Sequence, residues 1–586
     1  MDSMKTFLSA LLATATMLSA STYHIDPVRG NDTRPGVTEE QAWKSFHPLT
    51  RRNLAPGDRI EVRPGRFDHS LSIVASGTAE KPIEIQFAPG RYDFDPVHAH
   101  RETYQISNTN SDPDGHKAVG LHFKHAKHVR ITGGGAVLVA RGKMMHVCLD
   151  ACENITIEGL AFDCHRPTVS EFTVTSATED SAELVIHKDS AYSITDGALV
   201  WQGEGWTETG GLGQELDPVS GRVKRMKDPL AGLRLEETKP FHLRATGKHR
   251  LKPGLIYQLR NPFRDYCGAF TRNSRDITWK NVHFRFIHGM GLVSQFTENI
   301  TFDSIRIAPD PTSGRTTAAW ADCIQASGCR GRILIQNCLF SGAHDDAINI
   351  HGTHLRVVES KPESREIQLR FIHNQTFGFP AFLPGDHVEF VRHDSLATWA
   401  PNRVTKSKLL DPLTMLLELE YPPPTDIREN DVIENITWTP AVEIRGCTVR
   451  HIPTRGFLIT TRRSVLVEDN DFHATHMPGI LIENDATGWF ESGCVRDMLL
   501  RNNRFHHCGE PAIHINPRNS LPNPAVHRNI RIENNTFLLR DKLAIGAKST
   551  TGLRITGNQI HSEKPLEKHA WLHASDCADL HVEDNR

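Results

Sequence analysis

The sequence predicts an all-β chain wound as a right-handed parallel β-helix, a solenoid, with two small β-barrel-like domains inserted into it. Three observations predict this. A short apolar motif recurs at about one coil's length, side chains alternate with a period of two inside each copy, and polar turn residues separate the copies.

The motif places two apolar residues around one position, then Asn, Asp, Ser or Gly, then another apolar residue. Copies include Ile155 and Ile157, Ile277 and Trp279, Ile300 and Phe302, and Ile333 and Ile335. The series continues through Val442, Val465, Met498, Ile530, Leu553 and Leu580. Ile277 and Ile300 lie 23 residues apart, as do Val442 and Val465, and Ile530 and Leu553; other intervals are near 33, where a turn has grown. Strands this short cannot bury an apolar face alone, so each must stack on the next coil at about 4.8 Å. The pairs Asn502-Asn503 and Asn534-Asn535 suit turns that need left-handed backbone. A helical reading fails on the period of two and the β-branched content. A β-sandwich would show longer strands at regular spacing without the recurring polar position.

In chain order, residues 1–21 read as a signal peptide: Lys5, an apolar run from Phe7 to Leu18, then Ser19, Ala20 and Ser21. The run is too short for a permanent span, so export to the periplasm or the medium is expected. Residues 22–164 form the first part of the β-helix, and 165–264 the first inserted domain. Residues 265–352 carry the central coils, 353–436 the second insert and 437–586 the last coils. Each insert carries strands introduced by a Pro-Gly turn, LKPGLIYQL at 251–259 and LPGDHVEFV at 383–391.

Eleven cysteines are an odd number, and Cys323, Cys338 and Cys447 sit inside strand-like segments, so buried free thiols are expected. No CxxC pair or His/Cys cluster has zinc-ligand spacing, so neither a structural metal nor a cofactor is indicated. The net charge is −3 and no stretch is strongly basic. That leaves a nucleic-acid or anionic-membrane partner without electrostatic support.

The chemistry concentrates in two segments, ADCIQA at 321–326 and DDAINIHG at 345–352. They superpose with Asp322 on Asp346, Ile324 on Ile348 and Gln325 on Asn349, an offset of 24 residues. Asp322 and Asp346 should therefore project from neighbouring rungs with Asp345 beside them. Like charges that close must raise at least one pKa, which glycoside hydrolysis can use: one carboxyl protonates the leaving oxygen while another activates water. Turn-capping and a Ca²⁺ site are the competing readings, and donors on the flanking His344 and His351 disfavour a calcium cage. Parity puts Asp345, Asn349 and His351 on one side of the strand and Ile348 and Ile350 inward.

The stretch ADCIQASGCRGRILIQNCLFSGAHDDAINIHGTHLRV resembles the catalytic region of glycoside hydrolase family 110, the α-1,3-galactosidases that remove the blood-group-B galactose. The coil repeats, the two inserts and the segment YHIDPVRGNDTRPGVTEEQAW are similar too. The resemblance implies exo-acting, inverting, metal-free hydrolysis of terminal α-1,3-linked galactose, with Asp322, Asp345 and Asp346 as the catalytic groups. The more distantly similar polygalacturonases imply Asp345 as the general acid and Asp322 with Asp346 as the base. Candidate sugar-binding residues are Asn349, His351 and Gln325 beside the carboxylates, His344, Trp320, Arg264 and Asp265 in NPFRDYCGAF, and Glu483 with Asn484 in ILIENDATGW. A polygalacturonase-like hydrolase or lyase is the enzymatic alternative, disfavoured because no Arg/Lys cluster surrounds the aspartates in the sequence. A calcium-holding, carbohydrate-binding β-helix is the non-enzymatic one.

Overall fold

The computed structural model describes residues 20–109, 115–567 and 569–586. The leader expected at 1–21 lies almost wholly outside them. Most coils contribute three short strands. One runs Arg275–Lys280, His283–Phe284 and Met290–Gln295, and the next Glu298–Asp303, Arg306–Ile307 and Ile324–Ser327. Pairing between coils is parallel throughout this stretch.

The recurring apolar position is one column of this ladder. Ile155, Ile277, Ile300, Ile333, Val442, Val465, Met498, Ile530, Leu553 and Leu580 pair in direct succession. All but Leu580, at the open end of the solenoid, are buried. The helix interior is therefore one continuous apolar core along the axis. Phe472, Phe505 and Phe537 stack inside it with ring centroids 4.9 Å apart at each step.

The Asn-Asn pairs divide their labour. Asn502 and Asn534 take positive φ, while Asn503 and Asn535 point inward as part of a buried ladder. Each side-chain amide donates to the next, from Asn470 to Asn503 (2.9 Å), Asn535 (3.0 Å), Asn558 (3.0 Å) and Asn585 (2.8 Å). The ladder satisfies polar groups where every coil must turn.

The first insert has its own core around Phe172, Leu184, Trp201, Leu243 and Tyr257. It is a seven-stranded antiparallel sheet running from Val223–Met226 at one edge to Arg234–Lys239 at the other, with a three-stranded sheet folded over it. Among the described residues no pairing closes this sheet into a ring. The second insert does close. Strand Ile348–Lys361 leaves the solenoid and becomes one stave of a ring with Glu366–Arg370, Thr414–Leu419, Thr398–Asp411, His387–Val391 and Val432–Asn435. All eleven thiols are free, ten of them buried, with Cys577 half-buried.

Candidate active site

The two aspartate segments occupy adjacent rungs. Ile324 pairs with Ile348 and Gln325 with Asn349, and the Cys323 amide donates to the Asp346 carbonyl at 2.9 Å. Asp322, Asp345 and Asp346 each bring a carboxylate oxygen within 4.8 Å of the others and line one pocket. Asp322 and Asp346 are buried, and Asp345 is the most exposed of the three.

Arginines surround the trio. Asp345 Oδ2 lies 2.9 Å from Arg225 and 3.2 Å from Arg264. Asp346 accepts from the Arg455 backbone amide (3.0 Å) and from its Nε (3.0 Å). Arg260 lies over the Trp320 ring at 4.2 Å. Arginines far apart in sequence thus gather around the aspartates on folding, where no Arg/Lys cluster was expected. Arg225 and Arg264 pair with Asp345, Arg455 pairs with Asp346, and Arg518 pairs with Glu483.

This arrangement orders the protons. Burial, then the charges of Asp345 and Asp346, push the Asp322 carboxyl well above the usual range. Burial also raises Asp346 and outweighs the Arg455 guanidinium. Burial would raise Asp345 too, but Arg225, Arg264, Arg455 and Arg260 together hold it well below the usual range. The expectation that Asp345 carries the acidic proton runs against these charges, which favour a proton on Asp322 and a carboxylate at Asp345.

The supporting residues divide. Asn349, Arg264 and Glu483 line the pocket. Burial raises the Glu483 pKa. Gln325 and His351 lie behind the pocket wall, 3.2 Å apart, with His351 Nε2 3.5 Å from Glu491. Trp320 is a core residue whose indole donates to the Asn261 carbonyl (2.8 Å) while its ring carries Arg260 and Arg264, so it is no sugar platform. Asp265 is turned away into a bridge with His288 (2.9 Å) and Lys143 (2.9 Å). His344 is buried, and its carbonyl accepts from Arg225. Asn484 is buried too, accepting from the Gly493 amide at 3.2 Å.

Other pocket residues escaped the sequence reading. Arg455 was within reach of it: Ile348 pairs with Phe457, so Arg455 occupies in the next coil the place of Asp346. Aligning a third coil would have found it. Trp489 and Glu491 follow an irregular turn after Ile480–Ile482, which no repeat predicts. Trp489 is 42% exposed and lies against His373 of the second insert, ring centroids 4.3 Å apart and planes tilted by 34°. Glu491 accepts from Asn108 (3.2 Å) and Asn349 (3.3 Å). Arg225 comes from the edge strand of the first insert. Both inserts thus reach the pocket. An indole face beside hydrogen-bonding carboxylates and amides suits the apolar and hydroxylated sides of a sugar.

Residues 432–586 match the right-handed β-helix region family and residues 366–433 the GLAA-B β-barrel domain II. The chain is 42% identical over 558 residues to α-1,3-galactosidase A of Akkermansia muciniphila, covering 93% of each chain. It is 40% identical to α-1,3-galactosidase A of Bacteroides thetaiotaomicron, over 90% of this chain and 96% of that one. To α-1,3-galactosidase B of the same organism it is 32% identical, over 81% and 80% respectively.

Proposed function

Because the chain belongs to the α-1,3-galactosidase family, we propose that it is an exported, exo-acting glycosidase that releases terminal α-1,3-linked galactose from glycans such as blood-group-B structures. The observation that carries the chemistry is the trio itself: a carboxyl that favours its proton, Asp322, beside a carboxylate kept ionised, Asp345, with all three aspartates lining one pocket. Hydrolysis needs one group of each kind. Asp322 donates to the departing oxygen, Asp346, whose burial raises its affinity for a proton, draws the proton from water, and Asp345, held ionised by Arg225 and Arg264, steadies the charge that develops.

A second assignment has its own support. Asp345 is the most exposed of the three, where a glycosidic oxygen can reach it, which fits Asp345 as acid and Asp322 with Asp346 as the base pair. It requires the sugar to draw Arg225 and Arg264 away from Asp345. The inverting course rests on the family likeness. The oxygens lie within 4.8 Å, closer than the roughly 6.5–9.5 Å of most inverting pairs, so water must enter beside the trio rather than between its members.

Galactose release from the B trisaccharide, compared with release of galacturonate from oligogalacturonide, tests the substrate class. Galactose alone is expected; galacturonate alone would refute the reading. Export is tested by expressing the full chain with and without residues 1–21, which should retain it in the cytoplasm when removed. Equal export of both forms would refute the leader.

A further inference from the structure

The solenoid carries a second constellation of ligating side chains, remote from the aspartates. His100 and Glu102 stand two apart on strand His100–Thr103, which pairs antiparallel with His116–Lys124. Residues two apart share one face of a strand. His122, on the partner strand, is 2% exposed, and its ring stacks on His100 at 4.0 Å. Glu102 Oε2 lies 3.5 Å from His100 Nε2 and 3.9 Å from His122 Nε2. Three ligand atoms therefore converge within 4.8 Å.

We propose that His100, Glu102 and His122 form a divalent-metal site, best suited to zinc. Bonds of about 2.0–2.2 Å in a tetrahedron put neighbouring ligand atoms roughly 3.3–3.5 Å apart, close to the two separations seen here. Two imidazoles and a carboxylate leave the fourth position for water. His100 Nε2 is shut off from solvent and faces Glu102 Oε2 at 3.5 Å, too long for a good hydrogen bond. A cation held between the two bonds both atoms. The outer contacts fit as well. His122 Nδ1 lies 3.1 Å from Ser72 Oγ, which fixes the ring so that Nε2 faces the site. Lys124 occupies only Oε1 of Glu102, at 2.6 Å, leaving Oε2 available. The Tyr104 hydroxyl, 3.2 Å from His122 Nε2, must turn aside or yield to the metal.

The site stands apart from catalysis. His122 leads by direct pairing through Cys148, Phe270, Val293 and Gln325 to Asn349. Five rungs at about 4.8 Å separate them by roughly 24 Å. No linear motif announces the site, because His122 joins the other two only through strand pairing.

The test is calorimetric titration of ZnCl₂ into the full chain after chelator treatment, with thermal unfolding in parallel. One zinc per chain is expected, together with a zinc-dependent rise in Tm. Both should vanish in His100→Ala and weaken at least tenfold in Glu102→Gln, two partly exposed positions where the fold should persist. His506→Ala, in a separate surface group of Asp471, His473 and His506, should bind as the parent does. Undiminished binding by both the His100 and Glu102 variants, loss in His506→Ala, or no binding by the parent would overturn the proposal.

Discussion

Replacing Asp322 or Asp345 by Asn makes the same chemical change at two places where the structure demands opposite outcomes for stability. With carboxylate oxygens within 4.8 Å of one another, two ionised groups repel by about 3.5 kcal/mol at an effective dielectric constant near 20. Asp322→Asn removes that repulsion and mimics the protonated form, so the variant should match or exceed the parent by no more than about this amount. Asp345→Asn leaves Arg264, itself buried, and Arg225 facing a neutral amide. Breaking such a pair costs about 3 kcal/mol. The pH dependence adds a second signature. A carboxyl whose pKa is raised on folding, as at Asp322, contributes stability that is full below its unfolded pKa near 4 and lost as pH rises through the folded value. The advantage of Asp322→Asn over the parent should therefore grow from pH 4 upward. Denaturant unfolding from pH 4 to 8 reads both effects. An Asp345→Asn protein as stable as Asp322→Asn, or a pH-independent difference between Asp322→Asn and the parent, would refute the proton order. Catalysis divides the two variants as well. Asp322→Asn should lose about 10²–10⁴-fold on an α-1,3-linked disaccharide but far less on an activated aryl α-galactoside, which needs little proton donation. If Asp345→Asn shows that selective loss instead, Asp345 is the acid.

Three further outcomes follow from the geometry. Trp489→Ala removes the exposed indole that lies against His373 and should raise KM about tenfold, the equivalent of about 1.4 kcal/mol, with a smaller change in kcat in steady-state assays. Arg455→Met releases Asp346 from its backbone-adjacent clamp and should lower kcat at least a hundredfold while leaving KM within a fewfold. In the asparagine ladder, Asn503→Ala removes the side-chain acceptor of the Asn470 backbone amide and the side-chain donor to the Val467 carbonyl; a loss of about 3 kcal/mol in denaturant unfolding is expected.

The solenoid was legible in the sequence because its chemistry repeats: each coil restates the same inward pair, and Ile277 to Leu580 form a single column in the ladder. The same logic brought Asp322 and Asp346 together and, carried one coil further, contains Arg455. It failed where side chains leave the repeat. Trp320 and Asp265 look like sugar-binding residues in the sequence, yet the one is packed under Arg260 and the other is held by His288 and Lys143. His351 and Gln325 have the right parity but sit behind Glu491 and Asn349 rather than in the pocket. Arg225 reaches Asp345 from an inserted sheet, and Trp489 from an irregular turn. Contacts of that kind depend on how domains dock, and local sequence carries no period for them.

The central claim is that this aspartate trio hydrolyses α-1,3-linked galactose with inversion. Proton NMR of the first minutes of digestion of a galactosyl-α-1,3-galactose disaccharide tests it most directly, by reporting the bond cleaved and the anomer released together. Initial β-galactose, relaxing later to the anomeric mixture, is the expected result. Initial α-galactose would contradict inversion, and an intact disaccharide would contradict the assignment of the substrate.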